Sequence, residues 1–445
     1  MDAFVIHGGH RLRGRVRIHG SKNACLPLMA TALLTDEPVV LRDVPDLADI
    51  RNMLRLLESL GCQVQRDESA EGKPLTIHAT DASKTLAHYD IVRTMRAGIC
   101  VLGPLLASRG KARVSMPGGC AIGDRPVDLH LRGLRTLGAE IELDAGYIDA
   151  VAPRENGSER LIAKSMFLGG AFGSTVLGTA NIMSAAVLAK GTTVIESAAC
   201  EPEIADLADL LNKMGAKITG AGSPRLTIEG VDKLHGVDHT IIPDRIEAGT
   251  YIMAAAITNG DVILDNCPTD MLAAALDRMA EVGVELEPVE DADNTNPCRQ
   301  SVRIASTRRL EPVQVVTQPH PGFPTDLQAQ MMALLCLADG NSIITEKIFP
   351  DRFMHVAELL RMGAHLYRNG PSVLITGTRE LVGAPVMASD LRASAGLVLA
   401  GLAARGKTII QRVYHLDRGY ERMELTLQQL GAQIERVDIK STTDE

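Results

Sequence analysis

The sequence predicts an α/β protein of two similar domains, each built from three copies of one α/β unit around a shared helical core. Three observations carry that expectation. The chain has 445 residues, too many for one ordinary core. A helix-ending signature, apolar–Gly–small–x–apolar, recurs six times. It reads LGCQV at Leu60, LGAEI at Leu137, MGAKI at Met214, VGVEL at Val282, MGAHL at Met362 and LGAQI at Leu430. A second signature stands about 25–30 residues before each of these: TDEPVVL from Thr35, SRGKARV from Ser108, AKGTTVI from Ala189, TNGDVIL from Thr258, ADGNSII from Ala338 and ARGKTII from Ala404.

The glycines of the first signature, at 61, 138, 215, 283, 363 and 431, follow periodic apolar helices. A left-handed cap belongs there, and the alternation that follows reads as a strand. In the second signature Gly or Asp punctuates a helix-to-strand turn. Each unit is then helix, turn, strand, variable loop, helix, Gly cap, strand. Alanine- and leucine-rich helices such as Ile252 to Ile257 and Leu397 to Ala403 suit burial on all sides. A linear solenoid is the competing reading, but repeats of about 70 residues exceed the 20–50 usual for solenoids.

The units match in their structural parts and differ in the loop after the first strand. Those loops read LRDVPDL, SMPGGCAIGDRPVDL, ESAACEPEI, LDNCPTDM, TEKIFPDRFMH and QRVYHLDRGYER. A repeated scaffold presenting unlike loops is a common way to graft a site onto a fold. The second, fifth and sixth loops are the most polar and carry arginines.

Composition narrows the function. Hydrophobic content of 45% with 23% charged residues is that of a globular chain. Aromatics make up 3%, Trp is absent and the net charge is −9, which argues against a nucleic-acid partner. Eight cysteines stand singly, with no CxxC pair, so neither a zinc site nor a disulfide framework is expected. The N-terminal stretch alternates like a strand and lacks an apolar signal core, and no apolar run is long enough to span a membrane. These features predict a soluble, cytoplasmic protein.

Six stretches carry chemistry. PGGCAIGDRPVDLH (Pro117 to His130) places a lone thiol, Cys120, in a glycine loop five residues before Arg125, whose charge favours thiolate. SKNAC puts Lys22 and Asn23 at the start of an apolar helix that Ser21 can cap. RTMRAGIC sets Arg93 and Arg96 one turn apart at the next helix start. QPHPGFPTDLQAQ ends a proline-rich loop in Asp326, either a helix cap or a group that accepts a proton from a substrate hydroxyl. SDLRASAGL and YHLDRGYER place Arg392 and Arg418 near aspartates at turns, as paired loop charges or as an anion clamp. Lys22, Arg96, Arg125, Arg392 and Arg418 together suit a ligand with several negative charges. No GxGxxG or GxxxxGK[ST] is present, so neither a Rossmann cofactor nor a P-loop nucleotide is indicated.

With SKNA, TMRA, PGGCxIGxRPVDLH, FPTDLQAQ, RFMH, DLRAS and HLDRGYER in order, the chain resembles the enolpyruvyl transferase family, on the branch that acts on UDP-N-acetylglucosamine. The match runs from Met1 to about Val437, and the Cys loop separates it from the shikimate-type branch. The resemblance implies two inverted (inside-out) α/β barrel domains with pseudo-threefold symmetry, 22–241 with the Cys120 loop and 1–21 plus 242–445. It implies transfer of the enolpyruvyl group of phosphoenolpyruvate to the sugar 3′-hydroxyl with release of phosphate, the first committed step of peptidoglycan synthesis, without metal or organic cofactor. Cys120 matches the general acid, the thiol able to bond phosphoenolpyruvate and the target of fosfomycin; Asp326 matches the group that holds and deprotonates the hydroxyl. Lys22, Asn23, Arg125, Arg392 and Arg418 match the surroundings of phosphoenolpyruvate, with Lys22 and Arg418 also catalytic. Asn23, Arg96, Arg125, Pro126, Val127, Asp128, Leu129, Asp326, Ile348 and Phe349 match nucleotide-sugar contacts. Domain closure with the Cys120 loop as a lid is implied as well.

The chain departs from the pattern in the uridine-phosphate segment, where GSTVLGTANIM begins at Gly173; the alignment sets Gly173, Ser174, Thr175 and Val176 at those contacts. Gly98 and Gly396 replace common serines, and Cys200 a common arginine. A transferase for a shikimate-type acceptor and a catalytically inert sensor of nucleotide sugars are the alternatives. Turnover of the UDP-sugar separates the first, and phosphate release the second.

Overall fold

A computed structural model describes residues 2–438 apart from 68, 70–71, 118–126, 156–157, 172, 291–294 and 307–308. The described residues form two compact units, 20–242 and 2–19 with 243–438. Each has its own hydrophobic core.

Six four-stranded sheets occur among the described residues, three in each unit. Every one has a parallel pair at one edge and two antiparallel pairs beyond it. The sheets of the second unit follow the same order. The inner member of each parallel pair is the strand after a helix-to-strand turn: Val39–Arg42, Lys111–Ser115, Thr192–Glu196, Asp261–Cys267, Asn341–Thr345 or Lys407–Gln411. The glycines at 61, 138, 215, 283, 363 and 431 all have φ between +85° and +103°, the left-handed conformation that a Cβ disfavours.

Long-range pairing fixes the unit boundaries. Val237–Thr240 lies parallel to Val39–Arg42 and completes a sheet of the 20–242 unit. Asp2–His7 lies between Lys407–Gln411 and Gln433–Asp438, and Arg13–Arg17 runs parallel to Asp261–Cys267. The start of the chain therefore belongs to the unit formed by its second half.

Three buried helices run through each unit: Lys22–Ala30, Leu102–Arg109 and Val176–Ala186 in one, Arg245–Ile257, Gln328–Leu335 and Leu391–Ala403 in the other. All residues of Arg245–Ile257 are buried, as an all-round apolar helix requires. Small residues allow close approach. A Cβ on Gly103 would stand 2.2 Å from the carbonyl oxygen of Asn181, and one on Gly396 would stand 2.7 Å from that of Ala329. Serine at 396 therefore needs the two helices to separate. The outer helices are amphipathic: Ala48–Ser59 buries Asp49, Ile50, Met53, Leu56 and Leu57, a helical-period stripe. Burial of each large aliphatic side chain stabilises by about 1.5–3 kcal/mol.

Five described cysteines, Cys25, Cys62, Cys100, Cys267 and Cys336, are buried, and Cys200 and Cys298 are half-buried; all are free thiols. No helix among the described residues is long and apolar enough to cross a membrane.

Candidate active site

Polar side chains are expensive to bury, yet the buried helices carry them in their opening turns. In the 20–242 unit, Ser21 caps Lys22–Ala30 by accepting from Ala24 N at 3.3 Å. Lys22, the first helical residue, is 8% exposed, and its ammonium pairs with Asp49 at 2.7 Å. Asn23 follows it in the same turn. Arg93 and Arg96 do not share a helix. The short helix Tyr89–Val92 ends at Arg93, Met95 is extended, and Arg96 opens the 3₁₀ turn Arg96–Val101. Arg93 lies on the surface beside Asp90 and Tyr89, so only Arg96 joins the buried helix start.

Asn181 ties the unit together. Its amide nitrogen donates to Ile99 O at 3.0 Å and to His130 Nδ1 at 3.0 Å, and its oxygen accepts from Gly103 N at 2.5 Å. Burial, and behind it the charge of Arg96, lowers His130 to about 4. The neutral ring thus accepts at Nδ1 and carries its proton on Nε2. Thr175 caps Val176–Ala186 by accepting from Gly178 N at 3.2 Å, after Gly173 with φ +97° and the half-buried Ser174. Val127 is buried, Asp128 exposed and Leu129 half-buried at the head of Asp128–Thr136. Lys22, Asn23, Arg96, Thr175 and Val176 therefore occupy the first turns of buried elements that pack on one another, where orphan N–H groups favour anions. Cys120, Arg125 and Pro126 lie outside the described residues.

In the other unit Asp326 is not a cap. It sits in the turn Thr325–Leu327, and its carboxylate accepts from Arg352 at 2.8 Å and from Arg392 at 3.0 Å. Both arginines are nearly fully buried, whereas Asp326 keeps 26% of its side chain exposed. A carboxylate paired with two guanidiniums that keeps part of its surface exposed can receive a substrate hydroxyl. Burial works against the charge of Arg392, but Asp326, Tyr420 and Asp244 outweigh it and hold the guanidinium above its ordinary pKa. Asp390 does cap, accepting from Arg392 N at 2.9 Å and Ala393 N at 3.2 Å.

Arg418 closes the turn Val413–Arg418 and is half-buried. Its neighbour Asp417 pairs with Arg436 rather than with Arg418. Burial first, then Arg418, lowers the pKa of His415. The N–H groups of Ile348 and Phe349 both donate to Glu346, at 2.8 and 3.0 Å. That fully buried carboxylate also accepts from Thr317 at 2.7 Å and Thr325 at 2.8 Å, and so links the 348–349 turn to the Asp326 turn.

Sequence reasoning did not single out Asp49, Arg352, Glu346, Thr250, Gln330 or Tyr420. Arg352, Glu346 and Tyr420 stand in loops already marked as unlike between units. Asp49, Thr250 and Gln330 lie within helices, and nothing in their spacing distinguishes them.

The family model described as EPSP synthase (3-phosphoshikimate 1-carboxyvinyltransferase) matches residues 6–427. The UDP-N-acetylglucosamine 1-carboxyvinyltransferase of Gluconacetobacter diazotrophicus is 54% identical over 437 residues, covering 98% of this chain and 100% of that protein. The protein of the same name from an Anaeromyxobacter species is 52% identical, covering 98% and 99%. Among solved structures, the enolpyruvyl transferase NikO of Streptomyces tendae superposes with a TM-score of 0.86 at 25% identity, covering 98% and 99%. EPSP synthase of Acinetobacter baumannii superposes with a TM-score of 0.75 at 16% identity over 98% and 100%, a likeness of fold.

Proposed function

The chain belongs to the EPSP synthase family, and from that premise we propose which of its residues carry the chemistry. It is an enzyme that transfers the enolpyruvyl group of phosphoenolpyruvate to the 3′-hydroxyl of UDP-N-acetylglucosamine, releasing phosphate, in peptidoglycan synthesis. The two units correspond to the two enolpyruvyl transferase domains, and the six sheets with their buried helices to six copies of one unit in an inverted α/β arrangement. The reaction is assigned to the cytoplasm, where phosphoenolpyruvate is made.

In the addition step a proton joins C3 of phosphoenolpyruvate while the sugar oxygen bonds to C2 and gives up its own proton. In the elimination step C3 loses a proton, the C2–C3 double bond re-forms and the C2–phosphate bond breaks. Cys120 is assigned as the acid toward C3 and Asp326 as the acceptor of the hydroxyl proton. Lys22, Arg125, Arg392 and Arg418 balance the phosphate and carboxylate charges, with Asn23 beside them. Arg96, Val127, Asp128, Leu129, the 173–176 segment and the 348–349 turn receive the nucleotide sugar.

The observation that best supports these roles is the Asp326 carboxylate, paired with the buried Arg352 and Arg392 while 26% of its side chain stays exposed. Phosphate release from phosphoenolpyruvate with UDP-N-acetylglucosamine, and separately with shikimate 3-phosphate, tests the reading in wild type, Cys120→Ser and Asp326→Asn. UDP-sugar-dependent release that falls in both variants, with fosfomycin labelling Cys120, is expected. Release with the shikimate ester alone would move the acceptor to the other branch, and binding without release would leave a sensor.

A further inference from the structure

Behind Arg392 lies a polar cluster whose hydrogen-bond directions can all be assigned. The Thr250 hydroxyl donates to Ile246 O at 2.8 Å, so its single proton is used. The 2.9 Å contact between Thr250 and Tyr420 therefore has the phenol as donor. The same phenolic oxygen accepts from Arg392 Nη1 at 3.2 Å and from Gln330 Nε2 at 3.2 Å. Gln330 Nε2 also lies 3.0 Å from Thr250 Oγ1 and 3.0 Å from the carbonyl of Asp326 itself. Tyr420 is 1% exposed and Arg392 2%. Arg392 Nε has no hydrogen-bond partner, so among the described residues its guanidinium is held by Tyr420 on one side and Asp326 on the other. Among the described residues the phenol is the acceptor of Arg392 Nη1, and its loss would leave that buried donor unpaired.

We propose that Tyr420 is a positioning residue for the enolpyruvyl transfer: its hydroxyl fixes Arg392, which fixes the carboxylate of Asp326 toward the acceptor hydroxyl. The inference rests on the role given to Asp326 above. Tyr420 touches no substrate and acts only through Arg392. Its removal therefore affects the chemical step and leaves the binding of the UDP-sugar, which the 127–129, 173–176 and 348–349 segments would carry, nearly unchanged.

The test is the steady-state kinetics of Tyr420→Phe, a variant that keeps the ring and its packing. A buried hydrogen bond to a charged group corresponds to about a tenfold effect or more. The expected result is kcat lowered about tenfold with KM for UDP-N-acetylglucosamine within about twofold of wild type. Tyr251→Phe, at another fully buried tyrosine of the same unit, serves as the control for a purely structural loss and should keep wild-type kcat. In an Arg392→Lys background the Tyr420→Phe effect should largely vanish, because the group it positions is gone. Wild-type kcat in Tyr420→Phe, an equal loss in Tyr251→Phe, or additivity with Arg392→Lys would overturn the inference while Asp326→Asn remains inactive. Full activity in Asp326→Asn would instead overturn the role of Asp326, and the inference with it.

Discussion

The ammonium of Lys22 lies 2.7 Å from the carboxylate of Asp49, where both side chains are almost withdrawn from water. A lysine offered to an anionic substrate is thus held by a buried counter-charge from a neighbouring helix. Removing one member of a buried pair leaves the other uncompensated, at a cost of about 3–5 kcal/mol. Asp49→Ala should lower unfolding free energy by about that amount in urea titrations and raise KM for phosphoenolpyruvate. Unchanged stability and KM would show that the pair positions nothing.

His19 forms a second pair, with Glu247 at 2.9 Å. The Glu247 charge raises His19 to about 9 against the opposing effect of burial. The folded state therefore holds a proton that the unfolded state releases near 6.5. The stabilisation is fully present below about 6.5 and fades as pH rises through about 9. Tm should fall over that window more steeply in wild type than in Glu247→Gln. A His19 titration midpoint near 6.5 by NMR would refute this.

His130 behaves in the opposite sense. Burial and Arg96 depress it to about 4, so between about 6.5 and 4 the unfolded state binds the extra proton and stability falls as pH falls. Protonation at Nδ1 would also end the bond from Asn181. His355 in the other unit, lowered to about 4 chiefly by burial, adds to the same acid limb. Replacing His130 with Gln should flatten part of the acid loss in thermal melts between pH 6.5 and 4. An unchanged slope would assign that loss to other groups.

Glu346 receives four hydrogen bonds on one buried carboxylate. Glu346→Ala frees the 348–349 turn and the Thr325 hydroxyl together, so KM for the UDP-sugar should rise about tenfold and kcat should fall. Glu346→Gln can still accept on the three-donor side, and its loss should be smaller. Equal effects of the two variants in steady-state assays would argue against the hydrogen-bond account.

Gly103 tests the packing of the buried helices. Its missing side chain admits the Asn181 carbonyl at 2.2 Å from where a Cβ would stand. Gly103→Ala should destabilise by about 1–3 kcal/mol, read from urea midpoints, because a backbone atom and not a flexible side chain must move.

Local rules made much of this legible in advance. The glycines at 61, 138, 215, 283, 363 and 431 need a left-handed conformation wherever the chain places them, so their role could be read from spacing alone. The strands that begin within TNGDVIL and ARGKTII, and the Ser21 cap before Lys22, are likewise visible, because turn and cap chemistry acts over a few residues. Arg93 and Arg96 read as one helix start in sequence, because nothing in RTMR announces the extended Met95 between them. In sequence Asp326 reads equally as a helix cap or as a proton acceptor, and its actual partners lie 26 and 66 residues away.

Local sequence settles the alternation of helices and strands, the positions of the left-handed caps, the family and the set of charged residues available for chemistry. Tertiary structure decided which charges meet. It paired Lys22 with Asp49, turned Arg392 from its neighbour Asp390 to Asp326, and placed the phenol of Tyr420 behind that arginine. It also set the register in which strands Asp2–His7 and Arg13–Arg17 pair with strands of the second half of the chain. The physical reason is range. Caps and turns are settled by backbone geometry within a few residues, whereas ion pairs and sheet edges are settled by whichever partner long-range packing brings within about 3 Å.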